Sequence, residues 1–152
     1  MEKIVRELKL VLQEYGPLVQ ALRPEDLRIK TQPQKWSRQE ILGHLVDSAQ
    51  NNIRRFIVAQ YEDQPTIVYR QDDWVRINRY QDWPSGEIQD LWLLLNKQIL
   101  YILEGMSEAM ASRTCDCNSP VAQSLAWLAA DYIRHLRHHL HQLLDLQPAN
   151  YP

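Results

Sequence analysis

The chain has 152 residues, 45% of them hydrophobic and 24% charged, with a formal net charge of -2, enough to bury one sizeable core and too little for two. That charge, without a basic stripe, argues against nucleic-acid binding. No apolar run approaches the roughly 18 residues of a bilayer span, and Met1-Glu-Lys-Ile-Val does not read as a signal peptide, so the expectation is one cytoplasmic domain over residues 1–152 with no membrane partner.

Four amphipathic segments account for most of the sequence. The first is predicted from Glu2 to Tyr15, with Ile4, Leu8, Val11, Leu12 and Tyr15 at helical spacing and Gly16-Pro17 as its stop. The second opens at Trp36-Ser37-Arg38-Gln39-Glu40, where Ser37 and Glu40 form a capping box and Trp36 can staple onto Ile41, and it runs to about Gln60. The third is predicted from Glu87 to Met110, after a break at Trp83-Pro-Ser-Gly. The fourth begins at Ser119-Pro120, an N-cap with proline in the first helical position, and ends before Gln147-Pro148. No alternation of strand type is sustained. The class is therefore all-α, and the simplest architecture is a four-helix bundle.

Connection length constrains the topology. The segment from Tyr61 to Gly86, between the second and third helices, is far longer than antiparallel neighbours need and can travel the length of the bundle as a crossover. Helices two and three then run parallel, and helices two and four antiparallel. Four of the five histidines lie in His135-Leu-Arg-His138-His139-Leu-His141 near the C-terminus, and the fifth is His44. His135 and His139, one turn apart, point the same way. On antiparallel helices the early His44 meets these late residues, whereas an up-down-up-down bundle would keep them apart. Three neutral imidazoles on one ion leave a coordination position open, the mark of a reactive site.

A polar line continues from His44 through Ser48, Asn51 and Arg55, with Asp47 on its shoulder, while Leu42, Leu45, Ala49, Ile53 and Phe56 supply apolar surface elsewhere on the helix. A pocket accounts for this line, and so does a hydrated seam in which the groups bond one another. On the fourth helix Asp131, Tyr132, His135, His139 and Gln142 share a face. His138 sits on its shoulder and His141 points away. Asp131, Tyr132 or Gln142 can orient an imidazole. Tyr69-Arg-Gln-Asp-Asp-Trp74-Val, in the long connection, is a candidate lid, or Trp74 and Trp83 simply pin that connection to the bundle. Cys115 and Cys117 fit neither a zinc-knuckle spacing nor an easy disulfide. They are expected to be loop thiols at the bundle end remote from the histidines.

Trp36-Ser37-x-x-Glu40-Ile-Leu-Gly-His44-Leu-x-Asp47-Ser48, then Gln71-Asp72-x-Trp74-Val75, then Asp131-Tyr132-x-x-His135-x-x-His138-His139-x-x-Gln142 together resemble the DinB/YfiT-like superfamily over nearly the whole chain. The resemblance implies a four-helix bundle of up-down-down-up topology and a metal triad at His44, His135 and His139, with nickel or zinc as the divalent ion. It further implies an enzyme of small molecules. Related members include transferases that use a low-molecular-weight thiol such as mycothiol, bacillithiol or glutathione, and proposed metal-dependent hydrolases. The catalytic residues are not assigned by it. The alternative is a non-catalytic metal-binding bundle that serves association with a partner. Five tryptophans and seven tyrosines exceed what so small a bundle readily hides, and members are often dimeric, so a homodimer is expected. Imidazole binds metal only when neutral and its ordinary pKa lies near 6.5, which predicts metal loss as pH falls through that region.

Overall fold

The computed structural model describes residues 1–149 and Tyr151. Four long helices form the bundle: α1 (Glu2–Gln20), α3 (Arg38–Val58), α5 (Ser85–Glu104) and α7 (Leu125–Leu143). Short helices α2 (Pro24–Leu27), α4 (Gln71–Asn78) and α6 (Glu108–Ala111) lie in the connections, and a 3-10 turn spans Tyr80–Asp82. A two-residue strand β1 (Thr114–Cys115) pairs antiparallel with β2 (Gln123–Ser124). No helix of the described residues is long and apolar enough to cross a membrane.

Side-chain pairings fix the helix directions. Gln39 at the start of α3 bonds Ser85 at the start of α5, so these two are parallel. Gln20, late in α1, meets Asp90, early in α5, while Lys9 meets Glu104 at the end of α5, so α1 and α5 are antiparallel. Glu7 and Arg137, then Tyr15 and His141, pair α1 with α7 in parallel. The result is up-down-down-up, and the crossover that makes α5 parallel to α3 is the Tyr61–Gly86 connection. Leu8, Val11, Leu42, Leu45, Ala49, Trp92, Ile99, Leu128, Leu136 and Leu140 form the core between the four helices.

Helix boundaries depart from expectation at three places. The first helix does not stop at Gly16-Pro17 but continues one turn to Gln20. Proline so near a C-terminus removes a single intrahelical bond, and the added turn buries Val19 and lets Pro17 O accept the Ala21 amide at 3.1 Å. The third helix ends at Glu104, not Met110, because Ser107 caps a separate short helix by accepting the Met110 amide at 3.3 Å. The fourth helix begins at Leu125, not Ser119-Pro120. Ser119 turns its hydroxyl to Val121 O, residues 123–124 are taken by the strand pair, and Ser124 is the cap, accepting the Trp127 amide at 3.2 Å. The Ser37–Glu40 capping box forms as expected, with Glu40 N–H to Ser37 Oγ at 3.1 Å and Ser37 N–H to Glu40 Oε2 at 2.7 Å.

The long connection is pinned back against the start of α3. Gln39 Nε2 donates to the carbonyls of Tyr80 and Trp83 at 2.5 and 3.1 Å, and Trp83 Nε1 donates to Asn78 O at 3.0 Å. Tyr80 is buried directly against Gly43, where a β-carbon would stand 2.1 Å from the Tyr80 ring. Glycine beside His44 is thus a packing requirement, not a need for backbone freedom.

Candidate metal centre

Because α3 and α7 are antiparallel, the first turns of one meet the last turns of the other, and His44, His135 and His139 converge. Their candidate ligand nitrogens all lie within 4.8 Å of one another. His44 Nε2 and His135 Nε2 are 3.1 Å apart, close to the roughly 3.3 Å that separates two nitrogens on one tetrahedral zinc at Zn–N of about 2.0–2.1 Å. The rings stand edge to face, with centroids 5.0, 4.8 and 4.5 Å apart for the 44–135, 44–139 and 135–139 pairs. His139 Nδ1 meets Gln142 Oε1 at 3.0 Å. The amide oxygen can only accept, so Nδ1 carries the proton and Nε2 keeps its lone pair for an ion. His44 is held differently: Trp36 packs on its ring at 5.1 Å, and its buried Nδ1 meets no protein partner among the described residues.

Burial keeps these imidazoles neutral. Desolvation, with the neighbouring His139, pulls His44 down to about 3. His135 falls to about 2, chiefly by desolvation and then through His139, His44 and His138. Desolvation also lowers His139, partly opposed by its bond to Gln142. Neutral nitrogen donors suit zinc, nickel, copper or iron more than calcium or magnesium. Donor set, spacing and protonation thus fit a divalent transition ion.

Two of the three histidines, His135 and His139, line a cavity of about 360 Å³, within the range of small-molecule sites, and His44 stands against both of them. Ser48, Arg55, Asp131, Tyr132 and His138 line it with His135 and His139. Tyr132 is buried and donates to Asn96 Oδ1 at 2.7 Å; Asp131 pairs with Arg134 at 2.9 Å.

Other sequence candidates lie elsewhere. Asn51 is buried, with its amide turned to Asp47 O at 2.9 Å, and is not part of the cavity wall. Asp47 is fully buried beneath the connection, accepting from Tyr80 Oη at 2.5 Å and Asn78 Nδ2 at 3.0 Å. Trp74 stacks edge-on against Tyr69 at 5.7 Å, outside the cavity, so the part of the connection that lines the cavity is Tyr69 and Gln71. Gln142 is exposed and reaches the site only through His139. His141 leaves the site altogether, with Nε2 at 2.9 Å from Tyr15 Oη.

Tyr69 and Gln71, from the candidate lid segment, line the cavity with Leu128 of α7, and so do Asn52 and Tyr151, which the sequence did not single out. Asn52 was legible in principle, four residues beyond Ser48 and therefore next to it on the same side of α3. Tyr151 was not, because it arrives from beyond α7, stacking on His135 at 5.4 Å and reaching Asp131 Oδ2 at 3.4 Å. The cysteines are free and 4.0 Å apart at sulfur. They lie close enough to Arg55 to feel its charge, and Cys117 also feels that of Asp131, so they stand nearer the cavity than the remote bundle end expected of them. Burial pushes Cys115 up to about 12 and raises Cys117, so both are thiols without nucleophilic character at neutral pH.

Known proteins place this arrangement in a family. Two curated relatives carry names that call them candidate metal-dependent hydrolases. One, from Bacillus mycoides, is 24% identical over 97% of this chain and 85% of its own length; the other, from Halalkalibacterium halodurans, is 22% identical over 90% and 80%. YfiT from Bacillus subtilis, described as a probable metal-dependent hydrolase with an unusual four-helix bundle topology, superposes with a TM-score of 0.82 at 18% identity, covering 95% of this chain and 83% of that one. The DinB superfamily pattern matches residues 7–143, and the chain belongs to the DinB superfamily.

Proposed function

We propose that this protein is a divalent-metal-dependent hydrolase of small polar molecules, with His44, His135 and His139 as the ligands. The observation that carries the reading is the convergence of three imidazoles, two of which line a polar cavity, and the names of the relatives support it. An ion held there supplies Lewis acidity and lowers the pKa of a water or thiol beside it. The chain's own groups do the rest. Gln142 fixes the His139 tautomer, while Trp36 packing orients His44. Tyr69 and Tyr151 cover the cavity and limit water. His138 lines the cavity next to His139, with ring centroids 4.9 Å apart, and is the group we assign to carry a proton between nucleophile and leaving group.

Thiol transfer is the second reading. The same three imidazoles serve a thiol nucleophile, but a raised Cys115 and Cys117 oblige that thiol to come with a cosubstrate. Metal content of protein purified without an affinity tag, followed by assays of ester, amide and electrophile panels with and without added thiols, separates the readings. Chelator-sensitive turnover with water alone supports hydrolysis. Turnover only with thiol supports transfer, and stoichiometric metal without turnover on any panel supports a non-catalytic bundle.

A further inference from the structure

Arg55 lies eleven residues beyond His44 on α3, roughly 16 Å along the helix at 1.5 Å per residue, and it lines the same cavity. Its guanidinium rests over the Tyr69 ring at 5.9 Å. Nε and Nη2 both donate to Ile67 O, at 3.2 and 3.1 Å, and Nη1 reaches Asn52 Oδ1 at 3.5 Å. These contacts use three of the five guanidinium N–H groups and leave the others without acceptors among the described residues. No carboxylate of the described residues lies within ion-pair distance of it. Asp131, the carboxylate of the cavity wall, is taken by Arg134 and Tyr151. A half-buried cation, held by neutral acceptors on the wall of a cavity, is built to receive an anion.

From this geometry we infer that the substrate carries a carboxylate remote from its reacting bond, bound by Arg55 while the other end lies at the histidine triad. This rests on the metal-centre reading and adds the substrate's charge and length to it. A single planar guanidinium edge matches the two oxygens of a carboxylate. A phosphate would bring a second negative charge, and among the described residues of the cavity wall Arg55 is the one Lys or Arg, with the nearby Arg134 already paired to Asp131. The carboxylate therefore anchors the tail, and Ser48 and Asn52, between the two ends on α3, bound the polar middle of the molecule.

The test uses metal-loaded protein and the monohydroxamates of adipic, suberic and sebacic acid, each compared by calorimetry with its methyl ester. The hydroxamate grips the ion, and the chain carries the carboxylate toward Arg55. At the best chain length the acid is expected to bind roughly tenfold or more tightly than its ester. Arg55→Met should abolish that preference while leaving metal affinity and ester affinity unchanged. Equal binding of acid and ester at every length overturns the inference without any variant, as does a preference that survives Arg55→Met. A matching phosphonate that binds more tightly than the carboxylate overturns the choice of carboxylate. If neither acid nor ester binds metal-loaded protein better than metal-free protein, the metal-centre reading fails, and this inference falls with it.

Discussion

Tyr80 donates a hydrogen bond to the buried carboxylate of Asp47 at 2.5 Å, with its ring lying where a side chain at position 43 would stand. One residue of the long connection thereby locks onto the helical turn that carries His44. Gly43→Ala, ordinarily favourable in a helix, is expected to force the ring out and destabilise the protein by about 1–3 kcal/mol, visible as a lower unfolding midpoint in denaturant. An unchanged midpoint would mean that the Tyr80 contact is dispensable. Tyr80→Phe keeps the ring and removes only the bond that favours the charged carboxylate. Asp47, already raised by burial to about 6, should then titrate higher still by carboxyl NMR.

Alanine at His44, His135 or His139 removes one of three ligands. Each substitution is expected to weaken divalent-metal affinity by more than the ~10–100-fold typical of a residue that merely orients a ligand. His141→Ala should leave metal affinity intact, since His141 faces Tyr15. It should cost about 0.5–1.5 kcal/mol of stability through the lost hydrogen bond. Competition against a chromophoric chelator measures the first effect and thermal melting the second. Undiminished occupancy in the His44→Ala protein would remove α3 from the site.

The parts legible in the sequence were those set by local rules or by chain geometry. Ser37 and Glu40 announced the start of α3, and the length of the 61–86 connection allowed the parallel crossover that a shared site for His44 and His135 called for. The boundaries that differed depended on distant partners: α1 survives Pro17 because Val19 is buried, and the Ser119-Pro120 start is displaced because β1 and β2 pair. The cavity wall divides in the same way. Ser48, Arg55 and Asp131 lie on helical faces that spacing reveals, whereas Tyr69 and Tyr151 reach the site from segments whose paths are set by tertiary packing. Asp47 and Asn51 look like site residues by periodicity and are spent on the connection and on backbone.

Gln142 is exposed, yet its amide oxygen sets which nitrogen of His139 bears the proton. Gln142→Ala is expected to weaken metal binding by about 10–100-fold with little change in the stability of metal-free protein. Gln142→Glu keeps an acceptor and should restore most of the affinity. An alanine variant indistinguishable from the parent would show that packing alone holds the His139 ring.

The pH response follows from burial and differs from that of exposed histidines. In the unfolded chain the imidazoles take protons near pH 6.5, but in the folded protein His44 and His135 do so only near 3 and 2. Because their folded values are depressed, the stability they contribute is present above about pH 6.5 and is lost as pH falls toward those values. At pH 5 the loss is about 2 kcal/mol apiece for metal-free protein. Asp47 acts in the opposite sense. Its folded value of about 6 exceeds the unfolded 3.8, so its contribution grows as pH falls through 6 and offsets about 1 kcal/mol at pH 5. Metal-free protein should therefore melt lower at pH 5 than at pH 7, and the drop should widen in Asp47→Asn. The metal-dependent gain in melting temperature should persist at pH 5, because protons compete little for His44 and His135, whose folded values lie well below that pH. Burial is expected to shift the metal loss below the region near 6.5. If the metal increment vanishes between pH 7 and 5, the histidines titrate as exposed groups, and the buried, neutral triad on which the centre depends is wrong.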